Sequence, residues 1–343
     1  MASFPRGGVW ALAVVAVLVS GCARLPVHLG WPGPPRFDEQ AFAQKPLTTY
    51  RISLASDAST PTETMIGRAR SHRVRDGETL LDVARWYDLG YNEIVEANPG
   101  VDPWVPPTGT TVVVPGTWVL PCCTYEGIVL NIPEMRLYYY RRNPDDPRQL
   151  LVATYPVGLG RTDRRTPRGR FRVRGKTVNP RWDIPESIRR EHIRERNDAR
   201  TFIPGGDPDN PLGKYRLELT IPSYAIHGTN IAWGAGMPVS HGCARLYPED
   251  IAQLFPQVSI GTPVEFLYQP VKVGRRDGDV FVEAHEDIYK LNGAPLGDAL
   301  TMLRRQRLAS VDRRTVQAAL KASRGMPLRL EPRSEARGGI GGG

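Results

Sequence analysis

The chain is short of several things. It has four cysteines in 343 residues, Cys22, Cys122, Cys123 and Cys243, too few for a disulfide-built scaffold. It has no long hydrophobic run: Val9–Val19 is apolar for 11 residues, well under the roughly 20 that a membrane-spanning helix needs. No internal repeat of solenoid or propeller length is evident. His227, His241 and Cys243 could be imagined around zinc, but no fourth ligand stands at a metal-like spacing, so neither a metal nor any other cofactor is expected. The chain is basic, +9 in formal charge. The basic residues read as scattered, as in Arg161, Arg164, Arg165, Arg168, Arg170, Arg172 and Arg174, and no nucleic-acid motif accompanies them. No nucleic-acid partner is therefore expected.

What is abundant is glycine (34) and proline (32), which favours strands, turns and linkers over a helical bundle. Arg6 before the Val9–Val19 run gives the charged n-region and apolar h-region of an export signal. The run ends in Val19-Ser20-Gly21-Cys22, which resembles a bacterial lipobox. That resemblance implies cleavage after Gly21 and lipid on Cys22. It also implies a periplasmic location with a membrane anchor, and Ala23 leans towards the outer membrane. Residues 22–70 lack periodicity and read as a flexible tether.

A compact unit follows over 71–116. His72-Arg73-Val74-Arg75 reads as a strand. Thr79 and Asp82 form a helix-capping pair. Leu80, Val83, Ala84 and Tyr87 share one helical face. A second helix carries Ile94, Val95 and Ala97 and stops at Asn98-Pro99. Thr111–Val114 closes the unit as a strand. The order strand–helix–helix–strand, with Val74 through Leu80 and Asn92 through Pro99, resembles a LysM domain, which implies binding to wall glycan.

From 124 to 268 the pattern turns to strands. Gly127–Asn131, Met135–Tyr140, Leu151–Val157, Gly169–Val173 and Val264–Tyr268 read as extended, and only Glu186–Arg196 and Pro248–Phe255 as helical. The expectation is a mainly β domain, sandwich- or barrel-like. Tyr138–Tyr140 is read as strand packing rather than sugar stacking. Residues 269–325 suggest a small module of two strands and two helices. Residues 326–343 are Gly-rich and read as a disordered tail.

The chemistry concentrates in Ser240-His241-Gly242-Cys243-Ala244-Arg245-Leu246, with Ile226-His227-Gly228-Thr229-Asn230 upstream, so that Cys243 follows His227 by 16 residues. A thiolate is the nucleophile of cysteine chemistry, and a nearby imidazole or cation lowers a thiol's pKa. Gly242 allows close backbone approach. Amides beside the nucleophile can hold an oxyanion, and Thr229, Asn230 or a carbonyl could orient His227.

These residues, together with Thr166-Pro167-Arg168-Gly169, Asn179-Pro180-Arg181-Trp182 and Asn210-Pro211-Leu212-Gly213, resemble the YkuD-type L,D-transpeptidase domain, in its ErfK/YbiS-like subgroup. The resemblance implies Cys243 as nucleophile and His227 as proton acceptor. It implies that His241 lines the site, that the Gly242 and Cys243 amides are oxyanion donors, and that Arg245 is a structural or electrostatic aid. Ser240, Thr229 and Trp233 are candidates for substrate contact, and residues 181–209 for part of a lid. The implied reaction is acyl transfer from a peptidoglycan tetrapeptide stem, with release of D-alanine, to another stem or to a lysine of a Braun-type lipoprotein. Two other readings stay open: a thiol wall hydrolase, against which the order His before Cys counts, and a non-catalytic LysM lipoprotein anchor.

Overall fold

The computed structural model describes residues 39–57, 59–306, 311–322 and 324–331. The signal segment, Cys22 and the first part of the expected tether lie outside the described residues, as do residues 332–343.

A nine-stranded sheet organises the rest. Its order is Thr49–Ser53, Gln149–Pro156, Arg136–Arg142, Gly127–Asn131, Pro263–Leu267, Gly169–Val178, Tyr215–Leu219, Ala225–His227, Ala244–Arg245. Neighbours run antiparallel except for two parallel pairs, Gly127–Asn131 with Pro263–Leu267 and Ala225–His227 with Ala244–Arg245. Gly127–Asn131 is buried along its whole length, which is why it reads as an unbroken apolar run rather than an alternation. The mainly β expectation for 124–268 holds. Tyr138, Tyr139 and Tyr140 are all buried, as strand packing requires. One core unites Leu130, Leu137, Leu217, Ile226, Ala244 and Leu254.

Two boundaries differ from expectation. Thr49–Ser53 is no tether: it pairs in register with Gln149–Ala153 as the sheet's edge strand. Phe42 is also fully buried, its ring 4.0 Å from the Arg85 guanidinium. The local composition is that of a linker, and only the pairing surface offered by a distant strand fixes it. At the other end, Leu328–Leu330 is not tail but the third strand of a sheet with Val271–Arg276 and Asp279–Ala284. The helices Pro295–Arg305 and Arg313–Ala322 cover that sheet and share its small core.

Residues 70–114 fold as strand, two helices and strand, with Arg70–Arg73 antiparallel to Thr111–Val114. Thr79 and Asp82 cap the first helix reciprocally, amide to side chain, at 2.9 and 3.1 Å. This unit is bolted to the large sheet. Arg85 makes a two-pronged pair with Glu249 at 2.8 and 2.9 Å. Buried Arg136 grips Glu93 the same way and lies 4.2 Å over the Trp118 ring. Fork-on-carboxylate geometry satisfies both charges at once.

A third bolt gathers all three regions. Lys272 Nζ lies 2.7 Å from Glu134 and 2.8 Å from Glu283, and donates to the Val119 carbonyl at 2.7 Å. Glu283 also accepts from the Val119 amide and pairs with His285, each at 2.6 Å. Glu134, Glu283 and His285 form the one metal-like cluster among the described residues. The lysine ammonium already sits between its two carboxylates, where a metal would have to be.

Candidate active site

The site stands on three adjacent short strands at the edge of the sheet. Arg216 pairs with His227, and His227 with Arg245. Directly paired residues of neighbouring strands project to the same face. Arg216, His227 and Arg245 therefore form a row. Leu217, Ile226 and Ala244 alternate to the other face and enter the core, and Cys243 lies just before the strand Ala244–Arg245, where the charges of Arg245 and Arg216 act on its thiol. The 16-residue spacing thus brings the segment that follows Cys243 back as a strand parallel to the one that carries His227.

His227 is buried, and its Nδ1 lies 2.7 Å from the Gly228 carbonyl. A carbonyl can only accept, so Nδ1 carries the proton and Nε2 keeps the lone pair. The orienting group is thus a backbone carbonyl, not Thr229 or Asn230. Burial, then the charges of Arg245 and Arg216, push the imidazole down to about 3. His227 is neutral at physiological pH.

Cys243 is half-buried, and its thiol donates to the Ser223 carbonyl at 3.7 Å. Burial raises its pKa, and the Ala225 amide, Arg245 and Arg216 pull the other way without winning. The cations that the sequence places near the thiol do not prevail. Desolvation outweighs the nearby cations, and the resting pair is thiol and neutral imidazole.

Gly242 adopts φ +113, and a Cβ there would lie 2.6 Å from the Tyr224 ring, so glycine is required. Its amide donates to Ser240 Oγ at 3.0 Å, and Ser240 in turn donates to the Cys243 carbonyl at 2.7 Å. That is a correction: the Gly242 amide is used inside the loop and is not free for an oxyanion. The Cys243 amide has no hydrogen-bond partner among the described residues. Ser240 is only 1% exposed, so it is a clasp and not a substrate contact. Thr229 is also buried, exchanging bonds with Ile231 at 3.0 and 3.1 Å. Trp233, on a short 3-10 turn, is 45% exposed, which leaves its face available.

The proposed lid segment is an excursion between Gly169–Val178 and Tyr215–Leu219. Trp182–Asp183 pairs with Phe202–Ile203, and the helix Glu186–Arg196 packs Ile188 against Ile184 and Ile203. Glu191 of that helix reaches His241 Nε2 at 3.3 Å and Arg161 at 3.6 Å. Burial leads in lowering the His241 pKa. The positive charge is also less scattered than it reads: residues 161–200 hold 14 of the Lys and Arg against 6 of the acids.

Residues outside the motif support the loop. Thr166 Oγ1 donates to the Gly242 carbonyl, and its amide donates to the Tyr289 hydroxyl. Tyr289 in turn donates to the Gly160 carbonyl at 2.7 Å. Tyr289 comes from the C-terminal region and carries no local signal that sequence reading could use. Arg216 and Glu191 were likewise missed. Arg216 sits at an alternate position of Tyr-Arg-Leu-Glu-Leu, so its outward face was readable but its neighbour was not.

A cysteine at the start of one strand and a neutral, tautomer-fixed imidazole on its parallel neighbour suit a thiol acyl-transfer class of site. Comparison with known proteins agrees. The family profile of the YkuD L,D-transpeptidase catalytic domain matches residues 126–266. The chain is 34% identical over 277 residues to the probable L,D-transpeptidase YbiS of Escherichia coli K12, covering 78% of this chain and 88% of that protein. It is 38% identical over 250 residues to the probable L,D-transpeptidase ErfK/SrfK of Salmonella typhimurium, covering 71% and 79%. With YcfS of Escherichia coli K12 the identity is 35% over 277 residues, covering 77% and 84%. The chain belongs to the L,D-transpeptidase family and is an enzyme of that type.

Proposed function

We propose that this enzyme transfers a peptidoglycan stem acyl group through a thioester on Cys243. The observation that supports the proposal is the placement of a buried, neutral His227 on the strand parallel to the one that Cys243 opens, with Nδ1 of His227 held by the Gly228 carbonyl. As sulfur attacks the carbonyl carbon of the third stem residue, His227 Nε2 takes the thiol proton. The Cys243 amide donates to the oxyanion. The C–N bond to the terminal D-residue breaks, and His227 returns the proton to the leaving amine. An incoming amine then attacks the thioester, passing its proton through His227 to the departing sulfur.

The acceptor is read as the side-chain amine of a second stem or the lysine of a Braun-type lipoprotein. Residues 70–114, with their strand–helix–helix–strand order, are read as a LysM unit that holds wall glycan. Lipid on Cys22 and a periplasmic, outer-membrane location rest on the sequence alone. Product analysis with muropeptides, a lysine-ended lipoprotein peptide and water in competition tests the acceptor. Release of tripeptide alone would replace the transferase reading with a hydrolase.

A further inference from the structure

Arg216 and Arg245 flank His227 from the two neighbouring strands, yet neither has a carboxylate at hydrogen-bonding distance among the described residues. Arg216 lies 3.9 Å from Glu218, beyond hydrogen-bond reach, and the other Glu218 oxygen faces Arg174 at 3.5 Å. No carboxylate pairs with Arg245 among the described residues. The Nε–H of each arginine is buried and without a partner. Buried donors are normally satisfied, and a charged one left open is costly. Arg216 nonetheless keeps 27% of its side chain exposed, and Cys243 is only half-buried, so a ligand can reach the row.

We propose that Arg216 and Arg245 form a receptor for the free carboxylate of the residue that leaves from the acyl donor. This rests on the transpeptidase reading of Cys243. Spacing selects that carboxylate. Arg245 stands two residues beyond Cys243 on an extended strand, about 7 Å along at roughly 3.3 Å per residue. A carboxylate one residue past the scissile carbonyl falls within reach of its guanidinium. Arg216, two strands over at about 4.8 Å per strand, closes on the same anion from the far side of His227. In a tetrapeptide stem the residue after the scissile bond is terminal and carries such a carboxylate; in a longer stem that carbon is an amide. The pair would therefore measure stem length, and each guanidinium can offer a planar fork to the anion. Arg216 lies outside the cysteine motif and is a specificity residue.

The test is single-turnover acylation of Cys243 in the full chain, read by intact mass, with a tetrapeptide donor and with the same donor as its C-terminal amide. Wild type is expected to prefer the free acid by roughly 10- to 100-fold, the scale of a charge-assisted hydrogen bond. Arg216→Gln should bring that ratio towards unity by slowing the acid donor alone, and Arg216→Lys should restore part of it. An unchanged melting temperature and an unchanged circular dichroism spectrum would show the variant folded. A wild-type ratio in Arg216→Gln, or equal slowing of both donors, would overturn the receptor and leave the transpeptidase reading intact. A wild type acylated by neither donor would instead remove that reading and the receptor with it.

Discussion

Two clusters of positive charge invite comparison, one buried and one partly exposed. In one, Lys272 is enclosed by Glu134 and Glu283, with His285 on the outer carboxylate. In the other, Arg216 and Arg245 flank His227, and no carboxylate stands at hydrogen-bonding distance from either. The first sets its ammonium between two carboxylates supplied by the protein and joins three regions of chain. The second leaves donors open near Cys243. Burial of a cation is thus no guide to its role. What separates structure from function here is whether the protein supplies the counter-charge or leaves it to a ligand.

The largest way to sharpen that contrast is Lys272→Met. It strands two carboxylates in the interior and should cost about 3–5 kcal/mol of folding free energy, measured by denaturant unfolding at pH 7. Arg216→Gln should show the opposite pattern, with little loss of stability and a loss of donor discrimination. A Lys272→Met protein as stable as wild type would erase the distinction.

Next in size is a pH effect centred on the second cluster. His227 is held far below its unfolded value, so between about pH 6.5 and 3 the unfolded chain binds a proton that the folded chain refuses. Its contribution is complete above the unfolded pKa and is lost as pH falls. Wild type should lose up to about 1.4 kcal/mol of stability per pH unit from this group across that window. His227→Gln should be flatter by that slope, and identical slopes would contradict the buried neutral imidazole. Alkylation of Cys243 follows the same environment: its rate should go on rising with alkaline pH beyond the point where an ordinary cysteine, of pKa about 8.5, levels off. A plateau below neutral pH would mean a resting thiolate.

The smallest expected effect is Tyr289→Phe, which leaves the Thr166 amide without its acceptor. A loss of about 1 kcal/mol and a several-fold slower acylation should follow, with the acid-to-amide ratio unchanged. A changed ratio would make Tyr289 part of carboxylate recognition rather than a support for the loop.

Much of this was legible in the sequence. The strand pattern of 124–268 reads from alternation and turn residues, and Cys243 with His227 stands out by residue type and spacing. What could not be read is whatever register decides. That Arg216 lies beside His227 follows from a pairing between strands, and Thr49–Ser53 becomes a strand only because Gln149–Pro156 offers it an edge. Ser240 and Thr229 looked like substrate contacts because they are polar and adjacent. Their hydroxyls are used locally, as short polar side chains in tight loops often are. For the thiol, sequence shows the cations nearby and not the burial that outweighs them.

The most direct measurement of the central claim is intact mass spectrometry of the full chain mixed with tetrapeptide muropeptides, beside Cys243→Ala. The account predicts a tripeptide acyl adduct on Cys243, one D-alanine lighter than the donor, that disappears in the variant and passes to an added amine. An adduct that survives Cys243→Ala, or none on wild type under any donor, would contradict it.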